Sequence, residues 1–389
     1  MSADNLDRPG RRRALFPRPF LLSAIMAILS TLVFANLVPR YAPGLLRFEH
    51  AMGDLRTARI SDQLPSQHPL VAIVGITDGT LKDYKARLPI DAGLLARVIA
   101  AVDAAGPKVI GIDVLFVRPQ DDEDALIAAI KGAKARVVLA AADERVALEP
   151  GQREQQQSVL RQTGRPAGFA NLAIERDFIV RFKAQPAPGS AFKHSFAHVM
   201  AEAAGFHPSE KHRRIPWLRE PADHSDVFRQ FSAETLFRPA DDPVLKAARE
   251  GLKDKIVIIG GLLADIDMHL TPLGKMHGAL IHGHILAGLT DGRSIEQLEA
   301  NSVAIYLVLA AITALSFLVG WRNRLIRRGL LTSTVATIAI IVIDTITFWQ
   351  FRIILPVVLA LIAWFVGEFF GHYLGRWLGP RKTTRWFVT

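Results

Sequence analysis

The chain has 389 residues, no cysteine and a formal net charge of +10. Without a thiol it holds no disulfide, no thiolate-bound zinc and no cysteine nucleophile. The charge does not mark a nucleic-acid binder: thirteen basic and two acidic residues sit in three short segments, 1–18, 322–328 and 376–389, and no basic face is left for a folded domain.

Hydrophobic layout organises the rest. Residues 1–18 form a basic tail. Residues 19–39 are uncharged, as are 301–321, while 329–351 and 353–375 each carry one acidic residue in an otherwise apolar run. Each run reaches the roughly 20 residues with which a helix crosses about 30 Å of hydrocarbon. Four transmembrane helices are therefore expected, one before and three after a polar stretch at 40–300. Arg-rich segments stay in the cytoplasm. That places both termini and the 322–328 loop inside and residues 40–300 outside, with the same orientation implied by all four runs. Arg11–Arg13 before an apolar run also fits a signal peptide cut after Ala35, but the run is long for a signal core and is read as an anchor. After the fourth run about fourteen residues remain, so no cytoplasmic effector is expected on this chain.

Within 40–300, residues 70–76 (LVAIVGI) read as a strand, 90–104 as an amphipathic helix stopped by Gly106-Pro107, and 108–116 (KVIGIDVLF) as a second strand. A helix at 122–134 and a strand at 135–141 follow. Such alternation implies parallel pairing with right-handed crossovers. Residues 149–165 are Gln-rich and read as a loop or exposed helix. Segments 168–173 and 178–184 read as strands around an Arg176-Asp177 turn. A helix at 195–205, an irregular stretch at 207–239, a buried strand at 255–261 and a helix at 278–289 complete the domain. The expected fold is an α/β extracytoplasmic domain, a mostly parallel sheet flanked by helices, plus the four membrane helices.

Several segments in order carry a resemblance. They are Phe48-Glu49 with Asp54-Leu55-Arg56, residues 74–78, Gly106 with 109–116, and Gly168-Phe169-Ala170-Asn171. Residues 252–260, Asp267, Thr271-Pro272-Leu273-Gly274 and 278–282 extend it. Over about residues 45–295 the chain resembles the CHASE type 2 sensory domain family. The resemblance implies a periplasmic sensor in a multi-pass protein of the bacterial inner membrane, whose ligand is unknown. Members usually continue into a cyclase or kinase module; none is expected on this chain, so a non-catalytic sensor or interaction protein working through a separate protein is expected. The alternatives are a structural subunit of a membrane complex and a metal-dependent envelope hydrolase. A transporter is disfavoured because a three-span bundle shows no repeat.

Asp78, Asp113, Asp265 and Asp267 follow apolar strands, and open parallel sheets bind ligands beyond the carboxyl ends of their strands. With His282 they form the candidate ligand set, against the plainer reading that they cap turns and helices. His269 and His277 are weak metal candidates, since no His-Glu-x-x-His helix is present and His282 and His284, two apart, point in different directions. Ser195 lies beside His194 and His198 but in no nucleophile elbow, and no glycine pattern cradles a phosphate. The identity of any cofactor is unknown from the sequence.

The last span carries Ala363, Gly367, Gly371, Gly375 and Gly379 every four residues, a spacing at which small residues let helices pack closely in lipid. Contact with a partner protein or a second copy is expected there, against the plainer reading of packing on the chain's own spans. Glu368, His372 and Arg376 run beside this ladder, and Asp344 lies in the third span. Intramembrane charges need partners; His372 or Arg376 is expected for Glu368, and a threonine or another subunit for Asp344. The topology makes a direct prediction: a periplasm-active reporter fused after residue 290 is active and one fused after Thr389 is silent, and the reverse pattern refutes the orientation.

Overall fold

The computed structural model describes residues 18–34, 41–84, 86–209, 213–298, 302–323 and 325–378. Gly379, Ala35, Arg324 and the basic residues of 1–17 and 379–389 lie outside these. The chain divides into two compact units, Met1–Gly53 with Gln297–Thr389, and Asp54–Glu296. Helix α1 (Arg18–Leu32) belongs to the first, and the division falls within α2 (Pro43–Ile60).

The second unit is built on a six-stranded sheet. Its elements in chain order are β1 (Val71–Ile76), α3 (Ala92–Asp103), β2 (Val109–Asp113), α4 (Glu123–Gly132), β3 (Arg136–Ala141), α5 (Pro150–Thr163) and β4 (Ala167–Phe169). Then come a hairpin of β5 (Ala173–Ile174) and β6 (Val180–Phe182), α6 (Phe196–Ala203), β7 (Arg229–Ser232), α7 (Pro243–Leu252) and β8 (Ile256–Gly261). A second hairpin, β9 (Met268–Thr271) with β10 (Gly274–His277), leads into α8 (Gly278–Asp291). The sheet order is β4-β3-β2-β8-β1-β7, and every pairing is parallel.

Such a sheet is covered on both faces, so its strands are continuously apolar, and alternate side chains serve opposite cores. Ala72, Val74 and Ile76 of β1 with Val257 and Ile259 of β8 face a core formed with α3, α4, α5 and α7. Val71, Ile73, Ile256 and Ile258 face the other, completed by α6 and α8. Local chemistry sets the helix starts. Asp91 caps α3 by accepting from Leu94 N at 2.7 Å, and Asp242 caps α7 through Val244 N at 2.7 Å. The Gln-rich 149–165 stretch is a helix: Glu149 and Gln152 form a capping box, and Gly164 ends it in the left-handed region. Gln156 on its inner face bonds both Ala142 N and Ala142 O, at 2.8 and 2.9 Å.

Three features depart from the sequence reading. The 168–173 segment splits, its first part joining the main sheet as β4 and its second turning back as β5. Edge strand β7 lies in the stretch read as irregular, because Arg229–Ser232 is half-polar and gains strand character only from pairing with β1. The β9–β10 hairpin has only Thr271-Pro272-Leu273-Gly274 as a turn signal. The same unit buries a charge cluster. Arg181, 1% exposed, donates to both oxygens of Asp54 at 2.9 Å, to Glu175 at 2.6 Å and to Asp177 at 2.7 Å. Arg214, also buried, reaches Asp54 at 3.1 Å; burial draws its guanidinium down to about 10, and Asp54 opposes the shift.

Among the described residues of the first unit, three helices are long and apolar enough to cross a membrane: α9 (Val303–Arg322), α10 (Ile326–Phe351) and α11 (Val357–Leu378). Helix α1 is apolar but has 15 residues, short for a span. Glu49 of α2 accepts from the Val358 and Leu359 amides at 2.8 and 3.3 Å, placing a carboxylate on the free donors at the start of α11.

The small-residue ladder is used within the chain. A Cβ at Gly371 would stand 2.1 Å from Phe317 O of α9, and one at Gly367 would stand 2.5 Å from Thr313 O. Ala363 is fully buried, and Gly375 lies against Trp321. Glu368 is also held internally, though not by His372 or Arg376: it accepts from Thr332 and Ser333 of α10 and from Trp364 Nε1 at 2.9 Å. His372 Nδ1 instead meets Asn323 O at 2.6 Å. Side-chain direction explains the difference, since Glu368 turns toward α10 while His372 turns toward the end of α9. Asp344 is buried on α10.

Because the ladder meets backbone, Gly371→Ile cannot be absorbed by a side-chain rearrangement. It should destabilise the helix bundle by at least the 1–3 kcal/mol typical of overpacking, seen as lower yield and lower melting temperature in detergent. A variant that melts like the wild type and loses only higher oligomers would show that the ladder serves an intermolecular contact.

Candidate functional site

A cleft of about 630 Å³ opens where β2 and β8 end side by side. Asp113 closes β2, and its register partner is Gly260. The glycine is needed there, because a Cβ would lie 2.7 Å from Ala279 Cβ of α8 and 3.4 Å from the Asp113 carboxylate. Its absence lets the first turn of α8 close over the strand. The chain between β8 and β9 turns through Asp265 and Asp267, both with positive φ (61° and 54°), a region that aspartate tolerates better than bulkier residues. Asp267 is fixed from two sides: its carbonyl accepts from Gly278 N at 3.0 Å and its carboxylate meets His269 Nε2 at 2.8 Å. His282, one turn into α8, is 3% exposed and sits edge-on to Phe196 with centroids 5.4 Å apart. Its Nδ1 is buried without a hydrogen-bond partner.

Asp113, Asp267, His269 and His282 thus line one cavity. Among the described residues the Asp113 carboxylate has no hydrogen-bond or ion-pair partner. Its pKa is raised, first by the desolvation that the crowded cleft imposes and further by the like charge of Asp267; His282 and His269 oppose the shift.

The other candidates lie elsewhere. Asp78 is a turn clamp: it accepts from Ala264 N at 3.0 Å and pairs with Arg87, and the Ala264 bond is the main reason its carboxyl titrates below the usual range. Asp265 is exposed and outside the cleft lining. His277 is the residue before α8 and does not line the cleft. Among the described residues no three histidine or acidic side chains come together to hold a metal ion. Ser195 is the cap of α6, accepting from His198 N at 3.3 Å, and His194 stacks on His198. His284 points away from His282 into the core, where its Nδ1 accepts from Leu218 N at 3.3 Å and burial pushes its pKa down to about 3.

Sequence reasoning did not single out Arg118, Gln120 or the wall of Leu88, Pro89 and Ile90, all of which line the cleft. Arg118 and Gln120 do lie just past the carboxyl end of β2, a positional signal available from the strand assignment. Leu88–Ile90 carries no such signal. It reaches the site through its loop, where Arg87 bonds Asp78 and, at 3.2 Å, Ala264 O. Asn171, beyond β4, also lines the cleft and accepts from Asp143 N at 3.3 Å.

A family model for the CHASE2 domain matches residues 25–321, most of the chain and a longer stretch than the sequence motifs alone delimit. No curated protein and no solved structure matches.

The raised pKa of Asp113 has a stability consequence with a defined sign. Between the unfolded value near 3.8 and the higher folded value, the native state binds more protons than the unfolded one. Stability is therefore lost as pH rises through that window. Asp113→Asn should raise the melting temperature relative to wild type at pH 7, and the gain should vanish below about pH 4, where both carboxyl forms are protonated. A variant less stable than wild type at pH 7 would show that the Asp113 charge is structurally satisfied.

Proposed function

The chain belongs to the CHASE2 domain family, and from that premise we propose that it senses a small molecule in the cleft at the ends of β2 and β8 and passes the bound state through its membrane helices. It is a multi-pass membrane protein with a sensory extracytoplasmic domain, and the family is sensory rather than catalytic. The carrying observation is the cleft itself. It lies at the carboxyl ends of adjacent parallel strands, has the size of small-ligand sites, and mixes aliphatic walls with a few convergent polar groups.

The membrane is the bacterial inner membrane in this reading, with the sensor in the periplasm and both termini in the cytoplasm, as the basic segments imply. The output passes to a separate membrane protein or a second copy. Phe365, Phe369, Tyr373 and Trp377 leave α11 with a broad exposed apolar surface for lipid or for such a partner.

The test uses full-length protein in detergent and the small-molecule fraction of a bacterial periplasmic extract. A ligand at 100 times its Kd adds about 2.7 kcal/mol, a shift of roughly 5–10 °C for a domain of this size. The fraction should raise the wild-type melting temperature and leave Asp113→Asn unshifted. Equal shifts in both proteins would move the ligand out of this cleft, and no shift in either would remove the ligand-sensing reading.

A further inference from the structure

Resting on that reading of the cleft, we propose that its ligand is an organic ammonium ion, a primary amine whose apolar body lies along the aliphatic walls. Two polar groups with nothing to bond meet in one cavity. The Asp113 carboxylate has no donor among the described residues, and His282, 97% buried by its 3% exposure, has a ring nitrogen without a partner. A half-buried, unpaired carboxylate costs free energy that a bound cation recovers. A primary ammonium brings three N–H donors and one positive charge to the Asp113 carboxylate, and to His282 Nδ1 in the tautomer that carries its proton on Nε2.

The rest of the lining narrows the class. Among the described residues Arg118 is the one arginine or lysine on it; it is exposed, as is Asp267, and Asp113 and Asp267 set two carboxylates against that single guanidinium. An anionic ligand would be driven against Asp113 without a buried cation to meet it. No Phe, Tyr or Trp lines the cleft, so the aromatic cage that suits a quaternary ammonium is missing among the described residues. Among the described residues a metal ion lacks a three-ligand group there. Leu115, Leu263 and Ile266 supply instead the aliphatic surface that an alkyl or aliphatic amine buries.

Calorimetric titration of the full-length protein with hexylamine, hexan-1-ol and hexanoate separates charge from apolar fit. Hexylamine should bind about tenfold or more tightly than hexan-1-ol, with hexanoate weakest. Asp113→Asn should lose about tenfold in hexylamine affinity and keep its hexan-1-ol affinity, in line with removing one partner of a shielded charge pair. Arg118→Glu, an exposed change that leaves the fold intact, should tighten hexylamine several-fold and so supports or refutes the proposal even if Asp113→Asn fails to fold. Equal binding of hexylamine and hexan-1-ol, or no response of hexylamine to either substitution, overturns the ammonium assignment. In those cases neutral binding keeps the cleft as a ligand site. Absence of binding by all three probes also overturns the assignment, while the extract experiment decides the sensor reading separately.

Discussion

The parallel pairing of β2 with β8 is the constraint on which the sensory unit depends. It puts residues 256–261, late in the domain, between two strands formed from residues 71–76 and 109–113. The central strand is then apolar on both faces, and helices must cover each face. That pairing also sets Asp113 beside Gly260, so the end of β2, the turn through Asp267 and the first turn of α8 converge. Any register shift by one residue would exchange the two cores and pull Asp113 away from its neighbours.

The protein treats its buried charges in two ways. Arg181 and Arg214 are held by Asp54, and Arg181 also by Glu175 and Asp177; Glu368 is held by two hydroxyls and an indole. These groups are fixed by several bonds and order the elements that carry them. Asp113 differs, because its carboxylate opens onto a cavity rather than onto donors. That contrast is what supports the proposal of a ligand site in the cleft rather than one more structural network.

Close backbone approach holds the membrane helices together. Lipid removes the hydrophobic incentive for helix association, so Gly367 and Gly371 let α11 settle onto α9 until main-chain atoms touch. This use of the ladder within the chain leaves its bulky aromatic face outward. The carboxylate of Glu49 at the start of α11 and that of Glu368 further along give this helix polar ties at two levels.

Composition and periodicity by themselves determined the apolar runs, the strand–helix alternation and the parallel class of the sheet, because each depends on spacing along the chain. They also placed Asp113 and Asp267 as candidates, since strand ends are local features, whereas His282, inside α8, entered through the family resemblance. Tertiary structure alone decided that β8 lies between β1 and β2, that Arg229–Ser232 is a strand, and that Asp78 and Asp265 stand apart from the cleft. Strand order and loop direction depend on contacts between residues more than a hundred positions apart, which no local pattern encodes. The same holds for Glu368: its spacing from His372 suggests an ion pair, yet its rotamer turns to α10, and only the packed helices settle that choice.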